Sequence, residues 1–159
     1  IRWVGVDACD LCSSVAKQPG DPTAPDEAFP LNAVTGTIIA AAYSVFRGFG
    51  DSFLEPVYRR ALGVDLKRRG VRVEQEVKYE LFHFGEPVGC YRADMVVDSR
   101  VIVETKTGFV FDQLAQVQLL NYLCAAELTL GLVVYFGPEG VKVKRVIWNG
   151  QSKSVARAT

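Results

Sequence analysis

Residues 91–106 read YRADMVVDSRVIVETK, and this stretch decides the fold. Apolar residues fill both halves, and the polar triplet at 98–100 predicts a short hairpin turn between two strands. When that turn is centred on its middle residue, Asp94 falls directly opposite Glu104. The stretch therefore predicts two adjacent antiparallel strands that carry a carboxylate each at the same level.

Three charged groups gather at the open end of this hairpin. Directly opposed side chains share a face of a sheet, with Cβ atoms about 5 Å apart, and Lys106, two residues beyond Glu104, faces the same way. Two opposed carboxylates repel each other, and partial burial adds a desolvation cost. A divalent cation such as Mg²⁺ or Mn²⁺ relieves both, with Asp94, Glu104 and a main-chain carbonyl as oxygen ligands. Lys106 would then hold or activate a water, which is the chemistry of phosphodiester hydrolysis.

An ordinary salt bridge accounts for the same residues equally well, with Lys106 paired to Glu104 or Asp94. One feature favours a functional site. The strand begins with the β-branched run Val101–Val103, which is typical of a buried strand, and charged side chains are unusual there.

The remaining elements follow from the period of the apolar residues. Helices are expected over residues 34–47, from about Ser52 to Gly70, and over 112–127 with Asp112 as N-cap. Strands are expected over 71–81, 91–97, 101–106, 130–136 and 141–148, with a turn at 85–87. This order predicts an α/β sandwich around a mixed sheet, in which the apolar strand 130–136 could serve as an edge.

Composition excludes several classes of protein. The chain has 159 residues, of which 49% are hydrophobic and 23% charged, so it is neither disordered nor collagen-like. No apolar run approaches the ~18 residues of a membrane span, and no signal peptide is visible, so we expect no membrane association and a cytoplasmic location. Closely spaced prolines mark residues 1–30 as an N-terminal extension and linker, followed by a domain over 31–150 and a tail over 151–159.

The cysteines do not form a convincing metal site. Cys9 and Cys12 make one C-x-x-C pair, whereas Cys90 and Cys124 stand alone and His83 is the only histidine. A structural zinc site needs four ligands. We therefore expect reduced thiols, with no metal and no bridge at Cys90 or Cys124.

Charge is balanced overall, with 18 basic and 18 acidic residues, but basic residues cluster in two places. Residues 53–70 and 139–159 each carry five, against two acids and one acid respectively. Such patches suit a polyanion, although solvated surfaces look the same. No stretch combines aromatic and basic residues as a base-stacking motif does, so sequence-specific readout is not expected. The candidate phosphate-binding residues are Arg59, Arg60, Arg92, Lys142 and Lys144.

Several blocks in order resemble a known family. Asp94, nine residues, and then Glu104-Thr105-Lys106 look like the core of the PD-(D/E)XK nuclease superfamily, and residues 31–148 resemble its branch of small proteins named for a G-x-x-E-x-x-Y motif. The resemblance implies a restriction-endonuclease-like α/β/α sandwich with a central mixed sheet, Mg²⁺ or Mn²⁺ as cofactor, and nucleic acid, with DNA favoured over RNA, as substrate. Two departures are Ser52 in place of the motif glycine and Phe46 in place of a common histidine.

The resemblance carries over residue by residue. Its metal-binding acids match Asp94 and Glu104, with the Thr105 carbonyl as a further ligand, and its lysine matches Lys106. The remaining matches are the helix glutamate Glu55, the tyrosine Tyr58, and the glutamine Gln118 of the third helix.

Three of these residues, and the candidate phosphate ligand Arg92, keep an alternative explanation. Ser52 and Glu55 have the spacing of a capping box, which would give Glu55 a structural role. Tyr58 fits the core, with a hydroxyl that could reach the site. Gln118 fits the wet edge of its helix as well as a polar group aimed at the site. Arg92 could meet a phosphate or pair with a neighbouring acid.

Two classes of function follow. The first is a metal-dependent nuclease that holds the nucleic-acid backbone through the basic residues. The second is a catalytically inactive binding or assembly module with the same fold, and its small size would favour a homodimer. A redox or metal-sensing role for Cys9 and Cys12 is a third and weaker alternative.

Overall fold

The structure is a computed structural model, and it describes residues 31–108 and 113–150. Its helices and strands follow in the predicted order. They are α1 (Asn32–Phe49), α2 (Glu55–Arg68), β1 (Val73–His83), β2 (Glu86–Val97), β3 (Val101–Thr107), α3 (Gln113–Ala126), β4 (Leu130–Gly137) and β5 (Gly140–Ile147).

The five strands form one mixed sheet in the order β1-β2-β3-β4-β5. Only β3 and β4 run parallel, and α3 makes the crossover connection that a parallel pair requires. The predicted mixed sheet flanked by helices is confirmed. The suggestion that strand 130–136 lies at an edge is wrong, because β4 is buried throughout between β3 and β5.

Each face of the sheet is covered by helices. On one face, α1 and α2 pack their apolar stripes against alternate residues of β2 to β5, and Tyr58 stacks on Phe136 at a ring-centroid distance of 4.5 Å. On the other face, α3 packs through Leu119 and Leu123 against Ile102 and neighbouring strand residues. We call these the α2 side and the α3 side of the sheet.

The register of the β2–β3 hairpin agrees with the sequence prediction over the length of the paired ladder. Met95 pairs with Val103 and Val97 with Val101 across the turn. The β2–β3 ladder runs from the turn as far as Met95 and stops one residue short of Asp94. Beyond this point β2 continues with β1 alone, while β3 continues with β4 to Thr107, so the two strands diverge like a fork.

The start of α2 differs from the prediction. The helix begins at Glu55, its N-cap is Leu54 without a side-chain hydrogen bond, and a proline occupies the first turn. Proline fits this place because its missing N–H would have no helical partner. Ser52 is therefore not the cap, and the capping-box explanation of Glu55 is wrong.

The preceding loop is held by a side chain instead. The Tyr58 hydroxyl donates to the Gly50 carbonyl at 2.7 Å and accepts from the Phe53 N–H at 3.2 Å. Tyr58 is a fully buried core residue, as one alternative predicted, and its hydroxyl is used in this loop rather than in the candidate site.

The β1–β2 turn also differs. The prediction placed it at 85–87, with the following strand starting near Tyr91, whereas the turn residues are Phe84 and Gly85 and β2 starts at Glu86. Both turn residues have positive φ, +50° and +84°, as a two-residue type I′ hairpin turn requires. The hairpin is therefore longer than the apolar alternation indicated.

Close packing of α3 on the sheet depends on a glycine. A Cβ built on Gly131 of β4 would lie 2.7 Å from a methyl carbon of Leu119, which is fully buried. We expect Gly131→Ala to lower the free energy of unfolding by about 1–3 kcal/mol, because the core must shift to accept one extra methyl group. Urea denaturation of the variant beside Gly36→Ala, whose added Cβ meets nothing within 4 Å, would measure it. Equal losses in the two variants would contradict this account of the packing.

Some predictions fall on other parts of the chain. Cys9, Cys12 and the N-cap Asp112 lie outside the described residues, and the proposed boundaries near residues 30 and 150 stay predictions. Cys90 is exposed and Cys124 half-buried, and no disulfide joins the two. Within residues 31–108 and 113–150, no helix combines the length and the apolar character needed to cross a bilayer.

Candidate active site

The candidate site lies where β2 and β3 diverge. Residues two apart in a strand normally face the same way, yet Ala93 belongs to the core on the α3 side and Met95 to the core on the α2 side. Side-chain alternation thus slips at Asp94, opposite the stretch of β1 in which Glu76 has a φ of +54°. As a result, Asp94 turns into the gap between β2 and β3.

Asp94 bridges β3 and α2. Its Oδ2 accepts hydrogen bonds from the Thr105 N–H at 2.9 Å and from the Thr105 hydroxyl at 2.6 Å. Its Oδ1 accepts from Arg59 of α2 at 3.0 Å, and the same guanidinium pairs with Glu76 at 3.1 Å. The carboxylate thus accepts a hydrogen bond from a main-chain N–H of β3 that lies beyond the end of the β2–β3 ladder.

Glu104 is the most deeply buried charged side chain of the site, at 2% exposure. Lys106 donates to its Oε1 at 2.7 Å, but Oε2 is buried without a hydrogen-bond partner among the described residues. Burial, reinforced by the negative charge of Asp94, raises the pKa of Glu104 to about 7. An unpartnered buried carboxylate oxygen is costly in a protein interior, because it has lost water and gained nothing in return.

Glu55 and Lys106 complete the group. The Lys106 ammonium lies 3.8 Å from the Glu55 carboxylate, which the start of α2 presents to it. Burial raises the pKa of Glu55, while the nearby Lys106 opposes that rise. Burial by itself would lower the pKa of Lys106, but its hydrogen bond to Glu104 and the surrounding carboxylates raise it overall. Lys106 is therefore a protonated ammonium at neutral pH.

On the α3 side, Gln118 and Tyr122 form a pair. The Gln118 amide donates to the Tyr122 hydroxyl at 2.6 Å. Burial is the main cause of a raised pKa of Tyr122, and the charges of Glu104 and Asp94 contribute. Gln118 thus reaches the edge of the carboxylate group through Tyr122, with no hydrogen bond to the acids in the described part of the chain.

The five predicted phosphate-binding residues lie in different places. Arg59 is half-buried in the site, where its guanidinium forms ion pairs with Asp94 and Glu76. Arg60 of α2, Arg92 of β2, and Lys142 and Lys144 of β5 are all exposed, and Lys142 pairs with Glu139 at 2.5 Å. Only Arg92 lies beside the fork, two residues from Asp94.

The sequence predicts a phosphate-binding role for Arg59 rather than its place beside Asp94, and it does not assign Glu76 or Tyr122 to the site. Two signals were available, since Arg59 follows Glu55 by four residues and Tyr122 follows Gln118 by four, and such pairs share a helix face. The sequence gives no such signal for Glu76, because its neighbours alternate regularly between apolar and polar residues. The positive φ that interrupts this alternation is visible only in the structure.

The donor set fits a divalent cation. Two acidic side chains and a main-chain carbonyl are hard oxygen ligands, as Mg²⁺ and Mn²⁺ prefer, and the orphaned Glu104 Oε2 is an unused one. The N–H and C=O of a strand residue point to the same neighbour, so the Thr105 carbonyl faces the gap with its N–H. No three Asp, Glu, His or Cys side chains in the described ranges enclose an ion by themselves, so waters would complete the coordination.

A family model described as the PD-(D/E)XK nuclease superfamily matches residues 32–146, which is more than half of the chain. No curated protein matches. One matching solved structure, titled "Crystal structure of SSO0001", has 23% sequence identity and a TM-score of 0.49, and the match covers 58% of this chain and 50% of that one. The matched region spans about half the length of that structure's chain.

Proposed function

Since the chain belongs to the PD-(D/E)XK nuclease superfamily, we propose that it hydrolyses phosphodiester bonds of nucleic acid with a bound divalent cation, and that DNA is preferred over RNA. The observation that carries the proposal is the buried Glu104 oxygen without a partner, next to Asp94 and Lys106. Oε1 is paired with Lys106, but burial of the second oxygen without a hydrogen bond costs free energy, so Oε2 does not stabilise the fold.

Each residue has a proposed role. Asp94, Glu104 and the Thr105 carbonyl would hold Mg²⁺ or Mn²⁺, and the bound cation would supply positive charge for the phosphate and the attacking water. Lys106, which donates to Glu104 at 2.7 Å, would position the attacking water. Glu55, whose carboxylate lies 3.8 Å from the Lys106 ammonium, is the proposed acceptor of a proton from that water. Gln118 supports the site through Tyr122.

Arg59 adds a positioning role. Its guanidinium fixes Asp94 from the α2 side while the Thr105 hydroxyl fixes it from β3, so the carboxylate is held before a cation arrives. Preorganised ligands of this kind lose little freedom when the ligand binds.

We also assign the chain to the G-x-x-E-x-x-Y branch. Glu55 stands in the site and Tyr58 holds the loop before it, while Ser52 occupies the position of the motif glycine. A cytoplasmic location and a homodimer stay predictions.

The proposed function is tested by incubating the protein with supercoiled plasmid, single-stranded DNA and RNA in Mg²⁺, Mn²⁺ or EDTA. We expect nicking or degradation that requires the cation and is lost in Glu104→Ala, with DNA cut faster than RNA. The matched control is Glu74→Ala, which removes an exposed acid paired with Arg72 elsewhere in the sheet. If the wild-type protein binds no cation at millimolar concentration and cuts none of the three, the inactive binding module replaces the nuclease.

A further inference from the structure

The β1–β2 hairpin reaches beyond the sheet as a two-stranded arm, which we define as residues 78–92. β1 and β2 stay paired out to His83 and Glu86, whereas β2 has already left β3 at Asp94. Phe84 at the tip lies six positions beyond Lys78, or about 20 Å at the rise of an extended strand. The arm therefore forms one wall of the fork that leads into the candidate site.

The tip of the arm carries a residue that its turn disfavours. Type I′ turns prefer Asn or Asp before Gly, because both central residues have positive φ and a bulky side chain is strained there. The chain places Phe84 in that position, and the ring is 95% exposed. Its only ring contact in the described part of the chain is with His83, at 4.3 Å between centroids. Backbone strain and an exposed aromatic ring together indicate a binding role rather than a folding role.

The base of the arm carries two cations that face each other. Lys78 and Arg92 are directly opposed in the β1–β2 register, both are exposed, and neither has an ion pair with a described residue. Like charges in this arrangement repel each other. Tyr79 and Tyr91 turn to the core on the α3 side, so alternation directs the two cations to the α2 side, where Glu55 and Arg59 lie.

We propose that this arm is the element with which the protein grips nucleic acid, Lys78 and Arg92 holding a phosphate beside the one that is cut and Phe84 stacking on a base farther along. The inference rests on the proposed function. A pair of opposed cations takes a phosphate oxygen, and an exposed ring takes the face of a base regardless of its identity. Nucleic acid offers both a phosphate and a base within the length of the arm. The base of the arm adjoins the fork, so nucleic acid bound along the arm would lead to the carboxylates of the candidate site.

Binding can be separated from cleavage in a Lys106→Ala background. Fluorescence anisotropy with labelled single-stranded and duplex DNA, repeated over a range of salt concentrations, would give the affinity and its salt slope. We expect Lys78→Gln/Arg92→Gln to weaken binding and to reduce the slope of log affinity against log salt by about one phosphate contact, roughly 0.7–0.9. Phe84→Asn should weaken binding about fivefold or more without changing the slope, since stacking releases no counterions.

The Phe84→Asn variant also keeps the test independent of folding. Asparagine suits the turn better, so its melting temperature should equal or exceed that of the parent while its affinity falls. The matched control is Arg100→Gln, an exposed arginine in the turn at the opposite end of β2. If the arm variants bind with the affinity and slope of the control, the arm proposal is overturned, and cleavage by the wild type would leave the nuclease function standing. A wild type that neither binds nor cuts would overturn both.

Discussion

Replacing Lys106 with alanine should abolish cleavage while cation binding is kept or slightly strengthened. The ammonium donates to Glu104 at 2.7 Å and lies 3.8 Å from Glu55, so it holds positive charge next to the proposed cation position. Its removal relieves repulsion of the cation but takes away the group that positions the water. Losses of such groups cost on the order of 10²–10⁴ in rate. Calorimetric titration with Mn²⁺ beside a plasmid-nicking assay measures both quantities.

Substitution of the two carboxylates should have a different effect on cation binding. Asp94→Ala and Glu104→Ala remove oxygen ligands and negative charge, so the cation and cleavage are lost together. Asp94→Ala also leaves Arg59 and the Thr105 N–H without their shared acceptor. Melting curves are therefore needed to show that the variant is folded. If Lys106→Ala and Glu104→Ala lost cation affinity to the same extent, Lys106 would be a structural partner of Glu104 and its catalytic role would be wrong.

How far the sequence could predict this site depends on where regular pairing ends. The hairpin turn and the pairing of Met95 with Val103 followed from the apolar pattern, because each residue of that ladder has a buried face. One step farther, the prediction put Asp94 on the same face as Glu104. The side chain instead turns into the gap, since alternation slips between Ala93 and Met95. A two-residue period cannot reveal a place where the strand leaves its neighbour.

The arm was missed for a related reason. Tyr79 and Tyr91 at its base still pack against the core, but the period that marks a half-buried strand fades toward the tip, where His83 and Phe84 are exposed. Lys78 and Arg92 lie 14 positions apart in the sequence and become neighbours only through the β1–β2 register. Sequence position alone therefore does not bring these two cations together, whereas the hairpin does.

Glu104 also makes the stability of the cation-free protein depend on pH. Its carboxyl has a folded-state pKa of about 7 against 4.5 as the ordinary value, so the folded state binds the proton more tightly. The unfolding free energy should then fall as pH rises from about 4.5 to 7, by roughly 3 kcal/mol at most from this group. Glu104→Gln should remove this fall, and urea denaturation at pH 5 and pH 8 in EDTA measures it.

The same experiment in Mg²⁺ distinguishes a cation ligand from a buried acid that is merely unfavourable. At 100 times its dissociation constant a cation stabilises the folded state by about 2.7 kcal/mol, so the wild type should recover at pH 8 while Glu104→Gln does not respond. Below pH 7 the proton competes for the same oxygen, and the cation should stabilise progressively less. The control Glu74→Gln alters only a surface pair and should follow the wild type within about 0.5 kcal/mol. A wild-type stability that Mg²⁺ leaves unchanged at pH 8 would mean that the orphaned Glu104 oxygen serves something other than a cation, because the cost of keeping it ionised and buried would remain uncompensated.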